Sequence, residues 1–469
     1  MESNQRLFKN KHLLLFFSVF ILLFSQYGCN KDDILDRSDA ELIFSTDTLT
    51  FDTVFTTLGS TTRSFKIYNQ YNQTARIKEI RLSGGENSQF RINVDGISGT
   101  EFKDYEILPG DSMYVFVEVT VDPSDASLPF VMTDSISFLL GNNPQKVTLA
   151  AWGQNANFYY GQTICDEIWD DDKPYVIVNS LLVDSACFLR IEEGVQVHLS
   201  NNSRLFVNGT LELNGQIDNP VILQQLRLEQ FYRELPGQWE GIHILRPSVN
   251  NVFSNALIKN AVVGVRVDSL PENNNPKVSF FNTEIRNTLS SGILGITTVL
   301  YGENILIYNC GEHNIQMEYG GIYDFRHATL ANYSSSFINH NKPIIRASNF
   351  LATPDALSLA PIYATFTNSI IYGSLDEEIF IEEAEPGVVD VEILFNHALV
   401  KTEMPEDTVF FNNVLRNMDP QFTDRFEKDY TLLNGSPAID AGTQDAGVQN
   451  DFKGNMRSGQ PDLGAFEFQ

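Results

Sequence analysis

Eight residues between positions 312 and 327 carry the most mixed chemistry in the chain: Glu312, His313, Glu318, Tyr319, Tyr323, Asp324, Arg326 and His327. They offer carboxylates, imidazoles, a guanidinium and aromatic rings. On consecutive short strands they would share one face, where charged groups hydrogen-bond hydroxyls and aromatic rings stack on sugars. The set is therefore a candidate ligand-binding surface. Catalysis asks for more. Eliminative cleavage of an acidic glycan needs a cation to neutralise the carboxylate and a base at the neighbouring C–H. Glycoside hydrolysis needs closely placed carboxyl groups. Neither arrangement is recognisable, so no catalytic residue is assigned. A denser acid run, Asp166, Glu167 and Asp170 to Asp172, has the oxygens that calcium takes, although a solvated loop is the simpler reading. Glu377, Glu378, Glu382 and Glu383 read as solvent-face residues around an Ile-Phe-Ile strand, and Trp169 and Trp239 as core residues.

His327 also belongs to a repeat. Asn255, Asn282, Asn304, His327, Asn368 and Asn396 each stand three residues before an aliphatic residue: Ile258, Ile285, Ile307, Leu330, Ile371 and Leu399. Asn260, Asn287, Asn309 and Asn332 follow two residues later. The starts lie 27, 22, 23, 41 and 28 residues apart. A unit of this length made of short strands predicts a solenoid of β rungs. Asn tolerates the left-handed corner such a rung needs, and stacked amides can bond from rung to rung. A corner role therefore competes with a ligand role for His327.

Earlier strands at residues 189–197, 205–215 and 219–223 are separated by Gly and Asn corners. Together with the repeats they resemble the right-handed parallel β-helix family that includes the pectate lyases, over residues 158–469. That resemblance implies nine or ten rungs spaced about 4.8 Å apart. The spacing of 41 implies an inserted loop near residues 341–361. The tail, with Asp440, Arg457 and Asp462 as turn and ion-pair residues, resembles a C-terminal signature of bacterial β-helix proteins and is expected to cap one end. Cys165 and Cys187 lie 22 residues apart, about one turn. An oxidising compartment would join them; two separate buried thiols are the alternative. Cys310 reads as a small core residue, and without a Cys-x-x-Cys pair no metal site is assigned.

Residues 41–155 have a different period. Met113, Val115, Val117 and Val119 alternate with Tyr114, Phe116, Glu118 and Thr120. Alternation of two, with turns such as the one at Pro109 to Ser112, predicts a β-sandwich. The stretch at residues 51–60 and that turn resemble immunoglobulin-like modules of the abnormal-spindle/hydin type. The fold class expected is all-β: an immunoglobulin-like β-sandwich followed by a right-handed parallel β-helix.

The N-terminus reads as an address. Arg6, Lys9 and Lys11 precede an apolar run at residues 13–24, too short for an ordinary membrane span. Gly28 and Cys29 follow, which resembles a bacterial lipoprotein signal, although Gln26 departs from it. Residues 1–28 would be removed, Cys29 lipidated, and residues 29–40 left as a tether. Lys31, Asp32 and Asp33 resemble the surface-export signal of Bacteroidetes lipoproteins. The partners implied are the outer membrane, reached through the lipid, and polysaccharide or envelope proteins at the cell surface. The net charge of -28 argues against nucleic acid. Seven Asp-Ser/Thr-aliphatic or Asp-Ser/Thr-Met triplets resemble the O-glycosylation motif of such proteins, though the same pairs also start turns. The function expected is a non-enzymatic, surface-anchored binding or adhesion scaffold. A polysaccharide lyase or glycosidase, and a structural envelope protein, are the alternatives.

Overall fold

The computed structural model describes residues 34–35, 37, 39–56, 58–121, 130–406 and 409–469. Cys29, the leader and most of the tether lie outside them. The chain divides into two compact units, Met1–Gln154 and Asn155–Gln469.

The first unit is a sandwich of two five-stranded sheets. One sheet runs Ile43–Phe44, Arg63–Tyr68, Ser112–Val119, Phe90–Val94 and Ile97–Gly99; the other runs Thr48–Phe55, Asn143–Gln154, Phe130–Leu140, Ala75–Leu82 and Glu101–Ile107. The alternation works as expected. Val115, Val117 and Val119 are fully buried between the sheets, while Tyr114 and Phe116 point to water.

The second unit is a parallel β-helix with three faces. Face A includes Ala256–Lys259, Glu284–Thr288, Leu306–Cys310, Thr329–Asn332 and Ile370–Gly373. Face B includes Gly241–Ile244, Val265–Asp268 and Ile345–Ser348. Face C includes Thr210–Asn214, Asn251–Ser254, Val278–Phe281 and Ile362–Thr367. Among the described residues, nine successive parallel pairings on face C give ten strand segments, within the expected range.

In-register stacking builds the core in columns. Leu205, Ile242, Val265, Ile293, Ile315, Ile345 and Ile379 succeed one another on face B, all buried. Phe253, Phe280, Gly302, Phe325, Phe366, Phe395 and Phe411 do so on face C. Gly302 breaks the aromatic column because a Cβ there would lie 2.7 Å from the Phe325 ring.

The corner between faces C and A is the Asn column. Asn255, Asn282, Asn304, His327 and Asn368 all have φ between 46° and 54°. Asn282 Nδ2 donates to Asn255 Oδ1 at 3.2 Å, and Asn304 Nδ2 to Asn282 Oδ1 at 3.0 Å. The sixth phrase begins one residue later than the spacing suggests. Ile371 pairs with Val400, so His397 (φ 48°), not Asn396, holds the corner. A seventh phrase follows at Asn413.

The long coil carries two excursions rather than one. Residues 333–344 leave between faces A and B, and a hairpin of Phe350–Ala352 with Leu357–Leu359 leaves between faces B and C. The tail does not lie across the end as expected. It runs along face A: Gly464 N donates to Asn368 O at 2.7 Å, Ala465 N to Thr329 Oγ1 at 2.8 Å, and Tyr430 packs on Tyr308 at 4.8 Å. The reason lies in the outward residues of face A. Leu306, Ile370 and Leu399 are apolar and must be covered. Asp462 accepts from Asp440 N and Phe468 N, and Arg457 pairs with Glu467 at 3.0 Å, the turn and ion-pair roles expected.

Cys165 and Cys187 form the disulfide, with Cα atoms 4.9 Å apart. Asp166 lies beside them, but the sulfurs are bonded to each other and make no ligand set. Cys310 is buried, and burial pushes its thiol up to about 12.

Candidate functional site

The residues at 312–327 are spread over three environments. Glu318 stands outward on face B, where it accepts from Gln316 Nε2 and Ser348 Oγ, both at 2.8 Å, and pairs with Arg346 at 3.2 Å. Asp324 and Arg326 stand outward on face C. They bond to each other at 2.8 Å, with the guanidinium 5.2 Å from the Tyr301 ring. Tyr323 points into the core and donates to Gly320 O at 3.1 Å. Tyr319 (φ 55°) makes the corner between faces B and C. Glu312 is exposed at the opposite corner, taking the Ser290 hydroxyl, and His313 is buried there against Pro343 O at 2.6 Å. His327 is buried in the Asn column, where Asn368 Nδ2 donates to its Nε2 at 3.0 Å and its Nδ1 faces Gly464 O at 3.3 Å. Burial, and then Arg457, hold it well below the usual histidine range. A neutral imidazole that accepts at Nε2 and donates at Nδ1 does the work of an Asn amide. Asn413 Nδ2 and His397 Nε2 repeat the contact at 3.2 Å.

Gly373, the other departure from the repeat, has a steric cause. A Cβ there would meet Glu378 Oε1 at 2.2 Å. Glu378 is not on the solvent face: its side chain is fully buried, 3.0 Å from His340 Nε2, which the 333–344 excursion brings in. Trp169 and Trp239 are core residues, as expected.

The densest chemistry lies on face A, in a column that the repeat itself encodes. The fourth residue after each corner is Lys259, Arg286, Tyr308, Ala331 and Tyr372 in turn, and pairing stacks them in that order. Arg286 Nη1 donates to the Tyr308 hydroxyl at 2.7 Å and to Glu284 Oε1 at 3.1 Å, and the hydroxyl donates to Glu284 Oε1 at 2.7 Å. Burial would lower the arginine, but Glu284 and Tyr308 outweigh it and raise it above its ordinary value. Lys259 is pushed down to about 8, by burial and then by Arg286 one coil away. Glu234 accepts from Asn287 Nδ2 at 2.7 Å and meets Lys428 of the tail. Burial opposes its ionisation, yet those two partners hold it below the usual carboxylate range.

Two clefts follow one another along this seam between face A and the tail. The first, about 580 Å³, lies over Glu284, Arg286 and Tyr308, with Asp218, Lys428 and Asp429 at its rim. The second, about 640 Å³, is lined by Tyr333, Tyr372, Lys401, Asp419, Gln421 and Arg425. Arg425 lies 4.8 Å from the Tyr333 ring and Lys401 lies 5.5 Å from that of Tyr372. The seam presents fixed donors, fixed acceptors and ring edges. Glu284 is already engaged by a guanidinium and a phenol, so it is held in place as an acceptor.

No protein-family model matches the chain. No curated protein matches it either. Among solved structures it is similar to the catalytic domain of a GH87 α-1,3-glucanase, with 10% identity over 75% of this chain and 87% of that one and a TM-score of 0.17. The ASH/PapD-like domain 7 of human CEP192 is similar at 10% identity over 26% of this chain and 92% of that one, with a TM-score of 0.17. A family 123 glycoside hydrolase from Clostridium perfringens is similar at 9% identity and a TM-score of 0.18, over 24% of this chain. The chain spans 26% of that enzyme's length. At these scores the likeness extends to neither ligand nor activity.

Proposed function

We propose that the protein is a non-enzymatic glycan-binding scaffold of the cell surface, with its binding surface along the seam of face A and the tail. The observation that carries this reading is the succession of two clefts of mixed polar and aromatic lining along the stacking axis, each within the volume range of ligand sites. A linear polysaccharide would lie along them, its hydroxyls taking up the fixed charges. The leader and Cys29, by their resemblance to a lipoprotein signal, support a lipid anchor in the outer membrane.

The test is to incubate the purified mature chain, with and without calcium, against a panel of soluble polysaccharides. Binding is followed by affinity electrophoresis, and turnover by new reducing or unsaturated ends. Retardation by at least one polysaccharide without new ends is expected. Arg425→Ala and Lys401→Ala, at the second cleft, should weaken it. New ends would establish the lyase or glycosidase reading. No retardation by any polysaccharide would leave a structural envelope role. Labelled palmitate should enter the wild-type chain in its own host and not Cys29→Ser; equal labelling would remove the anchor.

A further inference from the structure

The outer face of the sandwich's first sheet carries a feature that the seam does not explain. Cross-strand pairing places Ser64, Phe116, Asn93 and Ser98 in one row across four strands, with Glu118 opposite Arg91 in the adjacent row. A cleft of about 560 Å³ opens over these rows, bordered by Glu86 and Thr100. Phe116 is 39% exposed and its neighbour Tyr114 is 44% exposed, with ring centroids 5.7 Å apart and planes 17° apart. Lys66 lies 4.6 Å from the Tyr114 ring, while Phe116 lines the cleft.

Asn93 supplies a second, independent sign. Its Nδ2 donates to Ser98 Oγ at 3.2 Å, but its Oδ1 is buried without a hydrogen-bond partner. A buried acceptor left unpaired is unfavourable, and a turn of the Asn93 amide toward the cleft would let a ligand hydroxyl pair it. Arg91 is fixed beside it by the carbonyls of Ser88 and Phe90, the latter at 2.9 Å, and Glu118 takes the Thr62 hydroxyl. The charged side chains that line the cleft are Glu86, Glu118 and Arg91, so the lining has no excess of positive charge. An aromatic face, an unpaired acceptor, neighbouring hydroxyls and no excess of positive charge match a neutral sugar ring rather than a polyanion or an apolar peptide.

We propose that this face is a second site, on the sandwich, that binds a neutral mono- or disaccharide. It is independent of the seam: it uses other residues on the other unit and stands whether or not the β-helix binds a polymer.

The test is ligand-observed saturation-transfer NMR on the full mature chain. The probes are methyl glycosides of glucose, galactose, mannose and N-acetylglucosamine, and the β-1,4-linked disaccharides of glucose and N-acetylglucosamine, at about 5 mM, suited to weak binding. Transfer to at least one probe is expected, and Phe116→Ala and Asn93→Ala should each weaken it by roughly tenfold or more. Both side chains are on the surface face, and circular dichroism checks that the variants fold. Ser98→Ala, which removes one hydroxyl only, should weaken transfer less. Arg425→Ala, in the β-helix, should leave in place the part of the transfer that depends on Phe116 and Asn93. No transfer from any probe overturns the proposal, as does transfer indifferent to Phe116→Ala and Asn93→Ala. Transfer lost in Arg425→Ala alone would assign the sugar to the seam, overturning this site and leaving the other reading intact.

Discussion

Lys277 carries its charge into the interior, with its side chain fully buried. Its ammonium donates to Arg246 O at 2.8 Å, Ser269 Oγ at 3.0 Å, Ser269 O at 3.3 Å and Asp268 O at 2.5 Å. Lys277→Met keeps the stem but strands these acceptors, which should cost about 3 kcal/mol, read as a lower urea midpoint of the β-helix transition. Burial, partly offset by Asp268, pushes the lysine down to about 8, against 10.5 when unfolded. The native state therefore sheds this proton first, and between those values the unfolded chain binds more protons. Stability from this group rises with pH across that window and is lost as pH falls through about 8. Lys259 adds to the same slope. Stability measured from pH 8 to about 9.5, below the tyrosine range, should rise less steeply in Lys277→Met than in the wild type. An unchanged slope would mean that the lysine is not perturbed. Gly373→Ala tests packing instead. Its Cβ would sit 2.2 Å from Glu378 Oε1 and 2.6 Å from Asn332 O, so a loss of about 2 to 3 kcal/mol is expected from overpacking.

The Asn column is the element that sets the corner between faces C and A. Asn282 answers two needs at once, a left-handed backbone and bonds to the neighbouring coils, and two substitutions there separate them. Alanine loses both amide bonds and keeps the strain of φ 46°, for about 2 to 3 kcal/mol in total. Glycine relieves the strain and loses only the bonds, for about 1 kcal/mol. Thermal denaturation should rank wild type above Asn282→Gly above Asn282→Ala; equal losses would show that the ladder, not the corner, dominates. These needs are local, which is why the sequence showed the repeat and the fold so clearly. Within the repeat it misplaced the phrase where Asn396 precedes a histidine acting as the corner amide, and it missed the phrase at Asn413. The column of Lys259, Arg286 and Tyr308 was equally regular, but it gains meaning only from the tail that covers it. Lys428 meets Glu234 across 194 residues, and no spacing rule reaches that far. The cluster at 312–327 misled for the complementary reason. Successive residues on a rung turn to different faces, so closeness in sequence scattered Glu318, Tyr323 and Asp324 instead of gathering them.

At the scale of the β-helical unit, the tail converts an open face into a closed seam, and Arg457 is its rivet. The guanidinium is nearly inaccessible. It donates to Asn304 Oδ1 and Gly464 O, both at 3.0 Å, and pairs with Glu467 at 3.0 Å. It thus joins the Asn column to the last residues of the chain. Burial raises Glu467 above the usual carboxylate range, with Arg457 pulling it back, so removing the arginine leaves a buried acid without its cation. Arg457→Ala should cost about 3 to 5 kcal/mol, whereas replacing both partners, as in Arg457→Met with Glu467→Leu, should recover much of that loss. If the tail acts only as a tether, both variants should keep the seam protected. If it is part of the core, Arg457→Ala should speed hydrogen exchange in Leu306–Cys310 and Asp429–Leu432 together, because Tyr308 and Tyr430 share one buried cluster. The Val278–Phe281 strand, on face C away from that cluster, should keep its protection. Faster exchange confined to the tail would show that face A stands without its cover. Polysaccharide retardation should fall with face A protection, since the clefts exist only while the tail holds against face A.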